Sequence, residues 1–366
     1  MHDVIIIGGG VIGLTLAYEL AQRKLDVAVY DQGPLGQEAS WAGAGIIAPG
    51  NPAGAVTAEA RLRAGSAALW PKLSAQLQEE TGVDTGFRLC GGLELRLSGT
   101  SSELDSEFVD WQQEQVEVEQ LSTDDLREYE PQITPTVAAG YRLPGMGQVR
   151  NPRHLKALIA ACTVRGVTLR PGMPVLGFLQ QGEQVTGVET SEGQGRAGEY
   201  VIASGAWSAR LLSAAGCIAP VRPVRGQIVL LNALPRLFRH VVNVGPRYLV
   251  PRPDGRILVG STEEEAGFEK RNTAAGMRSL FDFAVSVVPA LERATFERAW
   301  SGLRPGSADG LPYLGRVPGK KNLSVAAGHF RQGLHLSPIT GRLMSQVVLN
   351  EPTALSMKPY APDRNS

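Results

Sequence analysis

At 366 residues and 43% hydrophobic content, the chain is long enough for two domains or one large interleaved one, which excludes a disordered or fibrous protein. Lys+Arg and Asp+Glu balance at 36 each, the formal net charge is zero, and no basic patch or stripe points to nucleic acid. There is no basic, hydrophobic leader and no apolar run near the ~18 residues of a membrane span, so a cytoplasmic location without membrane attachment is expected. Cys90, Cys162 and Cys217 lack CxxC spacing, which speaks against a disulfide framework. Five histidines without HxxxH or HExxH spacing speak against a metal site.

The chain opens on DVIIIGGGVIGLTLAYELAQRKLDVAVYD, Asp3 to Asp31. Val4 to Ile7 is a β-branched run short enough for a buried parallel strand, and it feeds Gly8, Gly10 and Gly13 in GxGxxG spacing. The first glycine allows the tight turn, the second lets a pyrophosphate approach the backbone around Val11 and Ile12, and the third lets the helix pack on the strand. Leu14 to Arg23 is that helix, whose N-terminus favours an anion. Val27 to Tyr30 is the next strand. Asp31, with Gln32 after it, lies where a carboxylate grips ribose hydroxyls and would repel a 2′-phosphate. A lone GxGxxG is a weak signal, but here its required context is complete. It points to a dinucleotide and leaves NAD and FAD both open.

Next comes QGPLGQEASWAGAGIIAPGNP, a loop whose small residues Ala39, Ser40, Ala42, Gly43, Ala44 and Gly45 would let backbone amides lie against a large flat ligand. Ala58 to Glu80 reads as a long helix, Leu89 to Leu97 as a strand, and Ser102 to Gln115 and Ser122 to Tyr129 as helices, the second opened by a Ser122/Asp125 capping pair. Ala138 to Val149 is a strand pair and Arg153 to Arg165 an amphipathic helix. Val167 to Leu169, Val175 to Leu179, Val185 to Glu189 and Tyr200 to Ala203 are short strands. Val201 to Ser208, VIASGAWS, suits the last strand of a doubly wound sheet closing over the dinucleotide. Gly226 to Leu231, Tyr248 to Pro251 and Arg256 to Val259 are strands, Thr273 to Val288 a helix, and Phe296 to Trp300 a strand. GLRPGSADGLPYLG reads as a second glycine and proline loop. Leu323 to Ala326, the turn GHFRQG and the helix Leu334 to Leu349 close the chain, with 351–366 expected as a frayed tail. The strand, glycine turn and helix around Gly328 and Gly333 favour FAD, because a reduced flavin needs positive potential at its pyrimidine end and a helix N-terminus supplies it.

GGGVIG with Asp31, SWAGAGIIAP, RNPRHL, ASGAWS, GLRPGSADGLPYLG and GHFRQG, in that order over nearly the whole chain, resemble the glycine oxidase branch of the D-amino acid oxidase family. The resemblance implies an α/β fold in which a Rossmann-like FAD-binding domain (1–84, 146–221 and 303–366) interleaves with a mainly antiparallel substrate domain (85–145 and 222–302), as in p-hydroxybenzoate hydroxylase. It implies non-covalent FAD and oxidation of glycine, sarcosine or small D-amino acids by hydride transfer, with O2 reduced to H2O2 and glyoxylate and ammonia formed. It also implies supply of glycine imine for the thiamine thiazole, and a homo-oligomer, dimer or tetramer. Arg304 falls on the family's substrate-carboxylate arginine, and its planar fork suits that partner. Tyr248 matches the tyrosine that shares the carboxylate, and Arg331 an arginine beside flavin and substrate. Gly328, His329, Gln332, Gly333 and Leu334 would line the pyrimidine end. Val175 would reach the adenine, Ser204, Gly205 and Trp207 would lie along the cofactor, and Trp41 and Ile46 would border the flavin, Ile46 on the substrate side.

Two features depart from the family. The loop NVGPR before Tyr248 carries no histidine, and Glu263, Glu264 and Glu265 stand where relatives carry apolar residues. Three carboxylates there read as a solvated loop. A Glu263 turned into the pocket would instead repel a second carboxylate and favour an amine. A D-amino acid dehydrogenase passing electrons to a membrane quinone, and a flavin-carrying module without catalysis, remain as alternatives. A covalently attached flavin is disfavoured because no cysteine follows Cys217.

Overall fold

The computed structural model describes residues 1–98 and 104–364. A six-stranded sheet runs in the order Tyr313–Arg316, Leu323–Ala327, Ala197–Ile202, His2–Ile7, Val27–Tyr30, Thr168–Arg170. Every neighbouring pair is parallel except the first. A parallel sheet is buried on both faces, which is why Val4 to Ile7 is apolar throughout rather than alternating. Val4 and Ile6 pack with the helices Val11–Gln22, Asn151–Val164 and Gly333–Val348, while Ile5 and Ile7 pack on the opposite side with Tyr200, Ile202 and Val188.

Ala197–Ile202 is therefore not the last strand, as expected from VIASGAWS. It lies inside the sheet, and Leu323–Ala327 adds outside it. Buried parallel strands carry the same apolar signature, so their order is set by the crossovers between them and leaves no local mark.

An eight-stranded sheet runs Thr295–Gly306, Arg222–Asn232, Arg256–Gly260, Arg247–Pro251, Val241–Val244, Gly92–Leu97, Val137–Leu143, Glu119–Leu121. It is antiparallel except where Val241–Val244 pairs parallel with Gly92–Leu97. One face, including Val229, Leu249, Ile257 and Val259, packs on the helix Ala274–Val287 through Leu280, Phe283 and Ala284. Ile228, Tyr248 and Trp300 belong to the other face.

Three further expectations change. GLRPG is not loop but the end of the twelve-residue strand Thr295–Gly306. That strand is an edge, where Pro305 leaves no ladder bond unmade on its outer side. Leu89 to Leu97 divides into Arg88–Leu89 and Gly92–Leu97 at Gly91, whose φ of +71° breaks the ladder. The tail is not frayed over 351–364, residues 365 and 366 lying outside the described residues: Tyr360 is 1% exposed and donates its hydroxyl to Ala58 O at 2.7 Å, and Arg364 pairs with Asp309 over the ring of Tyr313. The helix expected over Ser102–Gln115 is observed as Leu104–Gln113, and residues 102 and 103 lie outside the described residues.

Candidate active site

A cavity of about 540 Å³ runs from the first glycine turn to the free face of the eight-stranded sheet. At its first end Gly8, Gly10, Val11 and Ile12 line the wall beside Asp31 and Gln32. A Cβ on Gly13 would stand 1.9 Å from Gly8 O, so only glycine allows the helix this close. The first helical turn has no acidic residue to neutralise its positive end. Ser40 Oγ takes the Val11 N–H at 2.9 Å. Asp31 accepts the N–H groups of Gly9 (2.7 Å) and Gly33 (2.8 Å), each on a different oxygen. Burial raises its carboxyl pKa and these bonds oppose the rise. Each oxygen keeps a lone pair for a further donor such as a ribose hydroxyl. Val175, Ser204, Gly205 and Trp207 line the same end.

Midway, Ala39, Ser40, Gly43, Ala44, Gly45 and Ile46 form one wall and His329, Arg331, Gln332, Gly333 and Leu334 another. The first wall is held rigidly. Asn151 Nδ2 donates to Ser40 O at 2.8 Å, Val149 N donates to Gly45 O at 2.8 Å, and Arg252 donates to Ala44 O, Val149 O and Gln148 Oε1. Arg252 is buried without a carboxylate partner in these bonds, and burial pulls its pKa down to about 9. The second wall is the N-terminus of the sixteen-residue helix Gly333–Val348, again without an acidic residue in its first turn. His329 is buried with Nε2 3.1 Å from Thr340 Oγ1. Gly13, Trp41 and Gly328 stand behind the lining rather than in it: Trp41 meets Trp300 edge-on at 5.2 Å, and Gly328 turns at φ +78° against Tyr313 and Ser307.

At the far end the sheet presents Arg304 and Tyr248. Arg304 Nη1 donates to Thr262 O (3.1 Å) and Nη2 to Ser261 Oγ (2.6 Å), both neutral acceptors. Burial lowers its pKa, and the neighbouring Tyr248 opposes that. A Cβ on Gly226 would lie 2.2 Å from Arg304 Nη2, and one on Gly260 would lie 2.4 Å from the Tyr248 ring. The two side chains thus lie flat over bare backbone. Gly226 opens the strand read over Gly226 to Leu231 and Gly260 follows the one read over Arg256 to Val259, but both fall within the observed strands, where a glycine otherwise weakens the strand.

Arg331 donates to Pro246 O and sits 3.8 Å from the half-exposed Glu263. The three glutamates do not form one solvated loop. Glu264 receives hydrogen bonds from Arg225, Gln227 and Thr262, which hold its carboxyl below the usual range although burial opposes them. Glu265 pairs with Arg222 at the surface. Glu94 and Asn243 also line the far end, and no motif marked them.

Two helix N-termini along one cavity, with a guanidinium and a phenol at its end, suit an oxidoreductase that lays a dinucleotide against both helices and presents a small carboxylate to it. Comparison with known proteins narrows that class. Residues 3–347 match the DAO family, FAD dependent oxidoreductase, and the chain belongs to it. Its sequence is 38% identical over 363 residues to the glycine oxidase of Pseudomonas putida, covering 99% of this chain and 98% of that one. It is 34% identical to the bifunctional protein ThiO/ThiG of Synechocystis, covering 99% of this chain and 54% of that protein. The crystal structure of glycine oxidase from Geobacillus kaustophilus superposes with a TM-score of 0.93 at 35% identity, covering 98% of each chain. The enzyme is an FAD-dependent amino-acid oxidase by class. Its residues fit that cofactor: the close helix at Gly8 and Gly13, the free lone pairs of Asp31 and the unneutralised N-terminus at Gly333 are the features a dinucleotide ending in a flavin needs.

Proposed function

We propose that the enzyme oxidises glycine and other small amines such as sarcosine and small D-amino acids, with O2 as electron acceptor, yielding H2O2 and an imine; the imine of glycine hydrolyses to glyoxylate and ammonia. The observation that carries this reading is the Arg304 guanidinium lying over Gly226 beside Tyr248, at the end of the cavity away from the nucleotide turn. When bound, FAD supplies the acceptor for the two electrons of the α-C–H bond. Arg304 and Tyr248 fix the substrate carboxylate, and Ser261 and Thr262 fix Arg304, so the α-carbon is held in one place. Ile46 and Ile228 give the pocket apolar walls that exclude water from the reacting bond. Gly8, Gly10, Val11, Ile12, Asp31 and Gln32 would hold the adenosine and pyrophosphate, and the turn from His329 to Leu334 the pyrimidine end.

In this reading the protein works as a homo-oligomer in the cytoplasm, and its imine serves thiazole formation, in keeping with the ThiO/ThiG relative. No helix among the described residues is long and apolar enough to cross a membrane. The test offers glycine, sarcosine, D-proline and D-alanine to the purified holoenzyme while oxygen and peroxide are followed. Glycine should consume oxygen, with equimolar peroxide and glyoxylate. Flavin that stays oxidised when glycine is added without air overturns the assignment.

A further inference from the structure

The far end of the cavity carries a second pole that glycine does not use. Glu94 lines the cavity, and the register places Tyr248 opposite Asn243 and Asn243 opposite Glu94. Directly paired residues share a sheet face, so Glu94 stands on the face of Tyr248, two strand spacings or about 10 Å away along the sheet. A glycine held by Arg304 and Tyr248 stops short of it. A longer substrate that extends along this face reaches it.

Glu94 accepts one hydrogen bond from the described residues, from Asn243 Nδ2 at 2.6 Å, and its second oxygen has no protein donor among them. Among the described residues no cation offsets it: burial raises its carboxyl pKa to about 8, and the like-charged Glu107 adds to the rise. Its cross-strand neighbour Tyr141 is already engaged with Trp111 and Glu107. A half-buried carboxyl without a cation beside it is unfavourable in its charged form unless something completes it. Because this one faces the substrate cavity, a ligand can do so. With Arg304 at one pole and Glu94 at the other, the pocket complements a molecule that is anionic at one end and carries an ammonium at the other, which binds the carboxylate form of Glu94 as its proton is released to solvent.

We propose that Glu94 and Asn243 form a distal subsite for the second amino group of a diamino monocarboxylic acid, whose α-carboxylate lies on Arg304. The proposal rests on the carboxylate placement given under the proposed function. It is tested with carboxylates that lack an α-amine and are not oxidised, so binding is read without turnover. The affinities of 5-aminopentanoate and pentanoate for the holoenzyme are measured by calorimetric titration, in the wild type and in Glu94→Gln, which preserves side-chain size.

The amine should improve wild-type affinity at least about tenfold, a charge-assisted contact, and that ratio should fall to near one in Glu94→Gln. Equal affinities in the wild type, or a ratio that survives in Glu94→Gln, overturn the subsite. The wild-type comparison decides even where the variant folds poorly. Pentanoate that fails to bind overturns the Arg304 placement and the subsite together, whereas pentanoate that binds with no amine preference overturns the subsite alone.

Discussion

Arg304 works because of what its neighbours lack. Gly226 sits on the adjoining strand without positive φ, so alanine is compatible with the backbone there, but its Cβ would occupy the space of the guanidinium. The guanidinium, the far end of a flexible side chain, is what has to move. Gly226→Ala should therefore leave the melting temperature within a few degrees of wild type and raise KM for glycine at least about tenfold, since misplacement rather than loss of fold is the injury. A variant with unchanged KM would show that Arg304 does not set the substrate's position. Arg304→Ala removes the fork itself. The expected loss in kcat/KM is about 2–4 kcal/mol, roughly 30- to 1000-fold, with FAD still bound by its absorbance. Unchanged glycine affinity in that protein would move the carboxylate site elsewhere. Asp31 belongs to the other end of the cavity, and its two backbone partners show that it also braces the turn at Gly9 and Gly33.

At the scale of elements, what could be read from the sequence depended on how many independent signals each segment carried. The opening strand, turn, helix and strand carry four, and they appear as His2–Ile7, Val11–Gln22 and Val27–Tyr30 around the glycines. Thr295–Gly306 carries conflicting ones, because Pro305 and its glycines argue for loop while the edge position tolerates them. Glu94 was hidden by a sound rule: in GLELRL the leucines at 93 and 95 face the core and the alternating polar positions face outward. Outward here means the cavity rather than solvent. Arg304 and Tyr248 came from resemblance to a family, and the reason they can lie where they do is tertiary. The tail failed for a similar reason, since its prolines and polar residues give no hint of the slot against Ala58 and Tyr313 that receives it. Tyr360→Ala empties that slot and should destabilise the protein by about 3–5 kcal/mol in urea unfolding, the range for truncating a buried aromatic ring. A loss under about 1 kcal/mol would mean that the tail is not anchored by this side chain.

Over the whole molecule, stability depends on pH through groups whose folded and unfolded proton affinities differ. Burial holds the imidazoles of His154, His329 and His335 down to about 3, from 6.5 in an open chain, with Arg63 adding to the effect on His335. Each is neutral in the fold where the unfolded chain would protonate it. Unfolding therefore takes up protons between pH 6.5 and 3, and stability falls as the pH falls through that window. Glu94 acts in the opposite sense. It keeps its proton to about pH 8 in the fold and releases it near 4.5 when unfolded, so its contribution is complete below 4.5 and is lost as the pH rises towards 8. Between about pH 5.5 and 7 the two effects oppose one another. Glu94→Gln removes only the second, so unfolding of the variant takes up about one proton more than wild type in that range. Its unfolding free energy should then rise with pH more steeply by about 1.4 kcal/mol per pH unit. The check is urea unfolding of wild type and Glu94→Gln holoenzyme at several pH values across this range. Parallel lines would mean that Glu94 is already ionised in the folded enzyme, and that its charge is balanced by a group other than a bound ligand.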